Sequence, residues 1–197
     1  MFGQLNNLLP YDGELYYLPH YLDNEKANQL FDLLFTEITW QHDRVKIFGK
    51  TIITKRKTAW YGDKAYNYPY SNQSRKANTW SKTLLELKKQ LETDCKLYFN
   101  SCLLNLYHNG AEGMSWHSDN EKQMQHQLGI VSLSLGAERI FQFKHRKSNE
   151  RISLTLKNGS LLLMQGATQH HWLHQLPIRK NIESARINLT FRNFADK

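Results

Sequence analysis

The chain has 197 residues, of which 40% are apolar and 22% charged, and its formal net charge is +8. That size suits one well-packed domain, that composition excludes disorder, and the cationic excess favours a polyanionic partner because each cation that neutralises a phosphate releases condensed counterions. The apolar run Leu161 to Met164 is far too short to span a bilayer, and the two cysteines, Cys95 and Cys102, are too few for a thiolate zinc cluster.

The early residues Asn6 and Asn7 do not follow a basic start or lead into an apolar core, as a secretory signal would, and the cysteines lack CxxC spacing. Both features predict an intracellular protein, cytoplasmic or, in a eukaryote, nuclear. The first predicted element is an amphipathic helix after Leu22, capped by Asp23 or Asn24, with Ala27, Leu30, Phe31, Leu34 and Phe35 on one face. A turn at Phe48-Gly49 then leads into a strand over Lys50 to Tyr61, rich in Thr, Ile and aromatics. A second helix is predicted after Asn78, with Trp80, Leu84, Leu87 and Leu91 on one stripe.

Downstream the period becomes two. Val131, Leu133 and Leu135 alternate with Ser132 and Ser134; Phe141 and Phe143 flank Gln142; Ile152, Leu154 and Leu156 alternate with Ser153 and Thr155. Further strand-like runs cover Cys102 to Tyr107, Ser160 to Gln165 and Ala185 to Arg192. Short strands at intervals of roughly ten residues read as a sandwich or jelly roll rather than alternating βα units. With helices first and strands later, the predicted class is α+β.

The chemistry-bearing residues fall in this second half. In an extended segment His117 and Asp119 project to the same side, and His174 can close a triangle from another strand. Two imidazoles and a carboxylate on one face of a metal suit non-haem Fe(II) and leave three coordination positions open. The bland alternative is a pair of surface polar residues after the Gly110 to Gly113 turn. Spacing also leaves the third ligand open among His170, His171 and His174. In the run Arg186 to Arg192 every polar residue lies on one face and every apolar residue on the other. Two arginines and Asn188 facing into a barrel would be costly without an anion, and a dicarboxylate supplies one, because guanidinium binds carboxylate through paired hydrogen bonds. Asn105 and Tyr107 repeat the pattern on another strand. The alternative has this face looking at solvent. A zinc hydrolase built on the late histidines would leave that face unexplained and lacks an HExxH helix.

The series Asn105-x-Tyr107, His117-x-Asp119, His174 and Arg186-x-Asn188-x-x-x-Arg192 resembles the AlkB family of oxidative dealkylases, most of all its homologue-2-like DNA-repair branch. The likeness runs over nearly the whole chain from about Phe48. Trp172-Leu173-His174-Gln175-Leu176-Pro177 resembles the stretch around that family's distal histidine, which selects His174. The resemblance implies a double-stranded β-helix (jelly-roll) core that holds Fe(II) through His117, Asp119 and His174. It implies 2-oxoglutarate on Asn105, Tyr107, Arg186, Asn188 and Arg192, with Arg186 at the distal carboxylate and Arg192 near the one closest to the metal, and O2 as the other cosubstrate. It implies one domain over 1–197, with N-terminal helices and a β-rich nucleotide-recognition lid to about residue 100 and the catalytic core from about 101. The implied function is direct-reversal repair: oxidative demethylation of 1-methyladenine and 3-methylcytosine type bases in single- or double-stranded DNA, releasing formaldehyde, succinate and CO2. RNA or protein substrates and a non-catalytic nucleic-acid-binding module are the alternatives; a monomer with no membrane partner is expected.

A methylated base inside a duplex must be flipped out to be reached. Trp60, Tyr61, Tyr66, Tyr68 and Tyr70, interleaved with Lys55, Arg56, Lys57, Lys64, Arg75 and Lys76, can stack bases and track phosphates. The same residues could instead build a β-rich flap with its own small core. The resemblance favours the lid, with Tyr70 stacking on the flipped base opposite His117, and Tyr68, Ser71 and Arg56 nearby. It puts Asn120 and Glu121 beside the base, where the Glu121 carboxylate would read an exocyclic amino group. It makes Phe48, with Gly49, an apolar finger that fills the gap left by the base. The segment Lys144, His145, Arg146 and Lys147 reads as a phosphate contact.

Overall fold

The computed structural model describes residues 5–47, 50–65, 67–70, 73–120 and 128–194, with the backbone alone for 44–47, 50–51, 67–70 and 73–75. In chain order the elements are β1 (Glu14–Leu18), α1 (Asn24–Glu37), β2 (Gln41–Ile47), β3 (Lys50–Gly62), β4 (Asn67–Tyr70), β5 (Gln73–Lys76), α2 (Lys82–Cys95), β6 (Ser101–Tyr107), β7 (Met114–His117), β8 (Ile130–Gly136), β9 (Arg139–His145), β10 (Arg151–Leu156), β11 (Ser160–Gln165), α3 (Thr168–His171), β12 (Trp172–Leu176) and β13 (Arg186–Arg192). One antiparallel sheet runs β1-β11-β8-β13-β6-β3-β2, a second runs β10-β9-β12-β7, and β4 pairs with β5 as a separate hairpin. This is the α+β class that the order of elements predicts, and the double-stranded β-helix that the family resemblance implies.

The larger sheet is a partition with two unlike faces. Successive side chains of a strand point to opposite sides. In β13, Ile187, Leu189 and Phe191 therefore enter the main core with Leu104 and Leu106 of β6 and Val131, Leu133 and Leu135 of β8. The helices cover this apolar face, α1 through Ala27 and Leu34 and α2 through Leu84, Leu87 and Leu91. The opposite face of β13 carries Arg186, Asn188, Thr190 and Arg192, all buried, so the solvent-facing alternative is excluded. The N-terminal half contributes β1, β2 and β3 to this sheet, which does not divide near residue 100.

Local chemistry sets the helix boundaries. The Asp23 carboxylate accepts from the Lys26 N–H, a side-chain cap for the first turn of α1. Phe35 departs from its expected place in the core: it is 43% exposed and its ring stacks on Phe31 at 5.7 Å. The second helix starts at Lys82, capped by Ser81, later than expected, because Asn78 first pairs with β3, exchanging hydrogen bonds with Trp60 and Gly62. Trp80 thus precedes the helix and lies parallel to Phe191 at 6.3 Å. Strand β2, QHDRVKI, had no apolar alternation to announce it and forms the edge of the larger sheet. Gly136 closes β8 at φ +81, where a Cβ would meet the Ala185 carbonyl at 2.5 Å and the Phe31 ring at 2.8 Å.

Candidate metal centre and anion cavity

The polar face of the larger sheet and the inner face of the smaller one enclose a cavity. The smaller sheet contributes His117 at the end of β7, Asp119 just beyond it and His174 on β12. Antiparallel pairing sets His174 directly opposite His117, with ring centroids 4.3 Å apart, and the register shifts immediately afterwards. One ligand atom from each of His117, Asp119 and His174 lies within 4.8 Å of the others. His170 and His171 lie in α3, ahead of the strand, and are not part of this group.

Each candidate ligand is held in a usable form. The Ser115 carbonyl, which can only accept, sits 2.8 Å from His117 Nδ1, so that nitrogen carries a proton and Nε2 is the ring atom left to face a metal. Burial, reinforced by the neighbouring His117, lowers the His174 pKa to about 3 and keeps its imidazole neutral. Asp119 accepts from Arg192 Nη2 at 3.1 Å, and its own N–H donates to Gln169 Oε1 at 2.9 Å. Two imidazole nitrogens with one carboxylate fit Fe(II) by type and number.

The opposite wall fits an anion. Arg186 is 2% exposed; its Nη2 donates to Ser134 Oγ at 2.7 Å, and its guanidinium lies 5.6 Å over the Tyr107 ring. Among the described residues Arg186 has no ion-pair partner, and its buried Nε has no hydrogen bond. Burial pushes its pKa down to about 10, so it stays charged at neutral pH. A buried cation without a counter-charge calls for an anionic ligand, and the 2-oxoglutarate implied by resemblance supplies one. Asn188 also faces the cavity, but its amide nitrogen already donates to Ser132 Oγ (2.7 Å) and the Leu133 carbonyl (3.2 Å). Asn105, Tyr107 and Arg192 complete the wall.

The remaining sequence expectations divide by location. Phe48, Gly49, Ser71 and Glu121 lie outside the described residues, as do the side chains of Tyr68 and Tyr70, whose backbone forms β4. Asn120 is exposed next to Asp119. Trp60 and Tyr61 do not stand in a lid. Trp60 is buried, donating Nε1–H to Ser101 Oγ at 2.6 Å, and Tyr61 packs with the helices, because β3 is a full member of the larger sheet. Arg56 is 7% exposed and turned into the cavity, where it meets Asp43 and Asn105. Asp43, Gln169, Ser132 and Ser134 were not among the expected site residues. The two serines share the period-two polar face of β8 and were legible; Asp43 and Gln169 carry no sequence signal.

A second group, Asp12, His145 and His171, also brings three ligand-type atoms together. Here the Ser148 backbone N–H donates to His145 Nδ1 at 3.2 Å, so the neutral ring bears its proton on Nε2, 3.2 Å from Asp12 Oδ2. In that tautomer the ring's lone pair, on Nδ1, already accepts the Ser148 N–H, and the Asp12 contact ties the N-terminal segment to the β9–β10 hairpin.

The model of the 2OG-Fe(II) oxygenase superfamily matches residues 14–192. The chain is 35% identical over 183 residues to bovine (Bos taurus) alpha-ketoglutarate-dependent dioxygenase alkB homolog 3, covering 88% of this chain and 64% of that protein. It is 34% identical over 178 residues to human (Homo sapiens) DNA oxidative demethylase ALKBH2, covering 85% of this chain and 68% of the relative. These nearly equal identities do not single out the homologue-2-like branch. The chain spans about 64% of the length of the first relatives it matches. The solved structure of OsALKBH1 superposes with a TM-score of 0.62 at 15% identity, over 91% of this chain and 97% of that one, and shares the fold.

Proposed function

Given that the chain belongs to the AlkB family of the 2OG-Fe(II) oxygenase superfamily, we propose that it is an Fe(II)- and 2-oxoglutarate-dependent dioxygenase that demethylates 1-methyladenine and 3-methylcytosine type bases in DNA. The observation that carries this reading is the buried Arg186, with no counter-charge among the described residues, across one cavity from the His117, Asp119 and His174 cluster.

In this reading His117, Asp119 and His174 hold the iron, and Arg186, with Tyr107, Asn105, Asn188 and Arg192, holds 2-oxoglutarate. When bound, iron, 2-oxoglutarate and O2 supply an oxidation that hydroxylates the N-methyl carbon and ends in formaldehyde, succinate and CO2. The protein supplies position and dryness. Arg192 and Gln169 fix Asp119 from both its carboxylate and its backbone side. Met114, Phe141 and Leu176 line the cavity with apolar surface, limiting water around the reacting carbon. A nucleic-acid substrate is favoured by the net charge of +8, and DNA in particular by the name of the ALKBH2 relatives. Tyr68, Tyr70, Ser71, Asn120 and Glu121 are assigned to the flipped base, Phe48 and Gly49 to the gap it leaves, and residues 1–197 to one working domain.

The test is formaldehyde and succinate release from a 1-methyladenine DNA oligonucleotide, with unmethylated DNA and methylated RNA of the same sequence as comparators. Methyl-dependent formaldehyde from DNA is expected. A preference for the RNA would move the substrate assignment, and succinate without methyl-dependent formaldehyde would keep the dioxygenase and reject N-methylated bases. Neither product from iron-loaded protein would turn the reading to a nucleic-acid-binding module.

A further inference from the structure

The β2–β3 hairpin reaches into the anion cavity at one point. Between the pairs His42↔Lys57 and Arg44↔Ile53, the residues Thr54, Lys55 and Arg56 of β3 face the single residue Asp43 of β2. Such a bulge re-aims side chains. Thr54 holds it in shape: its hydroxyl donates to the Arg56 carbonyl at 2.7 Å and accepts the Asp43 N–H at 3.2 Å, while its carbonyl meets His42 Nδ1 at 2.8 Å. The result is an inward Arg56 next to exposed Ile53 and Lys55.

Arg56 Nη2 pairs with Asp43 Oδ2 at 3.0 Å, and Nη1 lies 2.6 Å from the Asn105 side-chain oxygen. Asp43 is 2% exposed, so the pair is fully buried. A guanidinium has only donors, so the Asn105 atom facing it must be the amide oxygen. An amide is nearly symmetric in shape, and its orientation is set by its partners. With the oxygen committed to Arg56, the NH2 group is the end left to meet an acceptor in the cavity, which Asn105 lines alongside Arg186 and Asn188.

We propose that Arg56, anchored by Asp43, is a positioning residue that orients the Asn105 amide NH2 toward 2-oxoglutarate and so ties the β2–β3 hairpin to cosubstrate affinity. The inference rests on the dioxygenase reading above and replaces the base-side role expected of Arg56. Asp43 acts at one remove: it neutralises the buried guanidinium and fixes the plane from which Nη1 reaches Asn105.

The experiment titrates 2-oxoglutarate into Fe(II)-loaded protein without O2, following the visible charge-transfer absorption of chelation, a readout independent of turnover. The variant is the Asp43→Asn/Arg56→Met pair, which removes both charges together and strands neither. The expected result is a dissociation constant for 2-oxoglutarate raised about tenfold, as for loss of a hydrogen bond made to a charged group, with iron affinity unchanged. Asn105→Ala should produce a similar rise, and adding it to the pair should weaken binding no further, because all three residues act through one amide. Asp43→Asn alone, an isosteric change, should shift affinity in the same direction by less and serves if the pair fails to fold. Unchanged 2-oxoglutarate affinity in a folded variant, or losses that multiply with Asn105→Ala, would overturn the proposal. If the wild-type protein itself gave no band with 2-oxoglutarate, the dioxygenase reading would fall first and this inference with it.

Discussion

Asp119 serves two neighbours, offering oxygen to the candidate metal centre and pairing with Arg192. Asp119→Ala should therefore abolish formaldehyde release while leaving nucleic-acid binding in a gel-shift assay largely intact; normal turnover would remove Asp119 from the ligand set. Arg186 makes a sharper prediction, because one side chain bears on both stability and binding. Arg186→Ala should weaken 2-oxoglutarate binding by about 2–5 kcal/mol, since a desolvated carboxylate loses its partner. Arg186→Met should do the same yet raise the melting temperature of the cosubstrate-free protein, because it removes a buried charge that no acidic side chain among the described residues balances. A lower melting temperature with intact 2-oxoglutarate binding, measured calorimetrically, would reverse that account. At this scale the sequence was most legible where one local period carried the information. His117 and Asp119 share a side because they are two apart on extended backbone, and the same rule aligns Arg186, Asn188 and Arg192. Asp43 and Gln169 were not legible, since each acts through a partner far away in sequence.

Strand β13 shows how an element converts a pattern into both a core and a site. Its apolar residues join the helix-covered core and its polar ones line the cavity, so a change on either face is predicted to have a separate effect. Leu189→Ala, on the side opposite the polar face, should cost about 2–5 kcal/mol in urea unfolding, the usual range for a buried leucine. At saturating cosubstrate it should leave turnover near normal. Ser81→Ala should cost about 1 kcal/mol, because the Ser81 hydroxyl accepts the Leu84 N–H at the start of α2. The helices themselves were readable from apolar spacing, but their limits were not. Asn78 and Trp80 carry nothing local to say that they stay with β3 and Phe191 instead of opening α2. Lys88 falls on the buried stripe of α2, which periodicity would assign to an apolar residue; Asp63 at 2.7 Å and the rings of Trp80 and Tyr98 receive its charge.

For the whole molecule, the site joins the two sheets, so ligands that fill it should stabilise the fold as a unit. Mn(II) with 2-oxoglutarate, each near a hundred times its dissociation constant, should add about 2.7 kcal/mol per independently bound ligand. A chelator should return the melting temperature to that of the free protein; no shift on adding either ligand would argue against a shared site. The net charge of +8 predicts that affinity for DNA falls steeply as salt rises, with a log–log slope proportional to the phosphates neutralised. Among the described residues no helix is long and apolar enough to cross a membrane.

The sequence by itself determined which residues share a face, because strand and helix periods are properties of neighbouring peptide units. That was enough for the α+β class, the polar stripe of β13, the serines of β8 and the His117–Asp119 pair. Spacing alone left three histidines equal; the family likeness chose His174, and the pairing of β12 with β7 sets it opposite His117. Only the tertiary structure decided that Arg56 turns inward, that Trp60 and Tyr61 belong to the sheet instead of a lid, and that Asp119 is held from both sides. Those outcomes depend on strand order, a bulge and contacts between residues distant along the chain, which local periodicity does not encode.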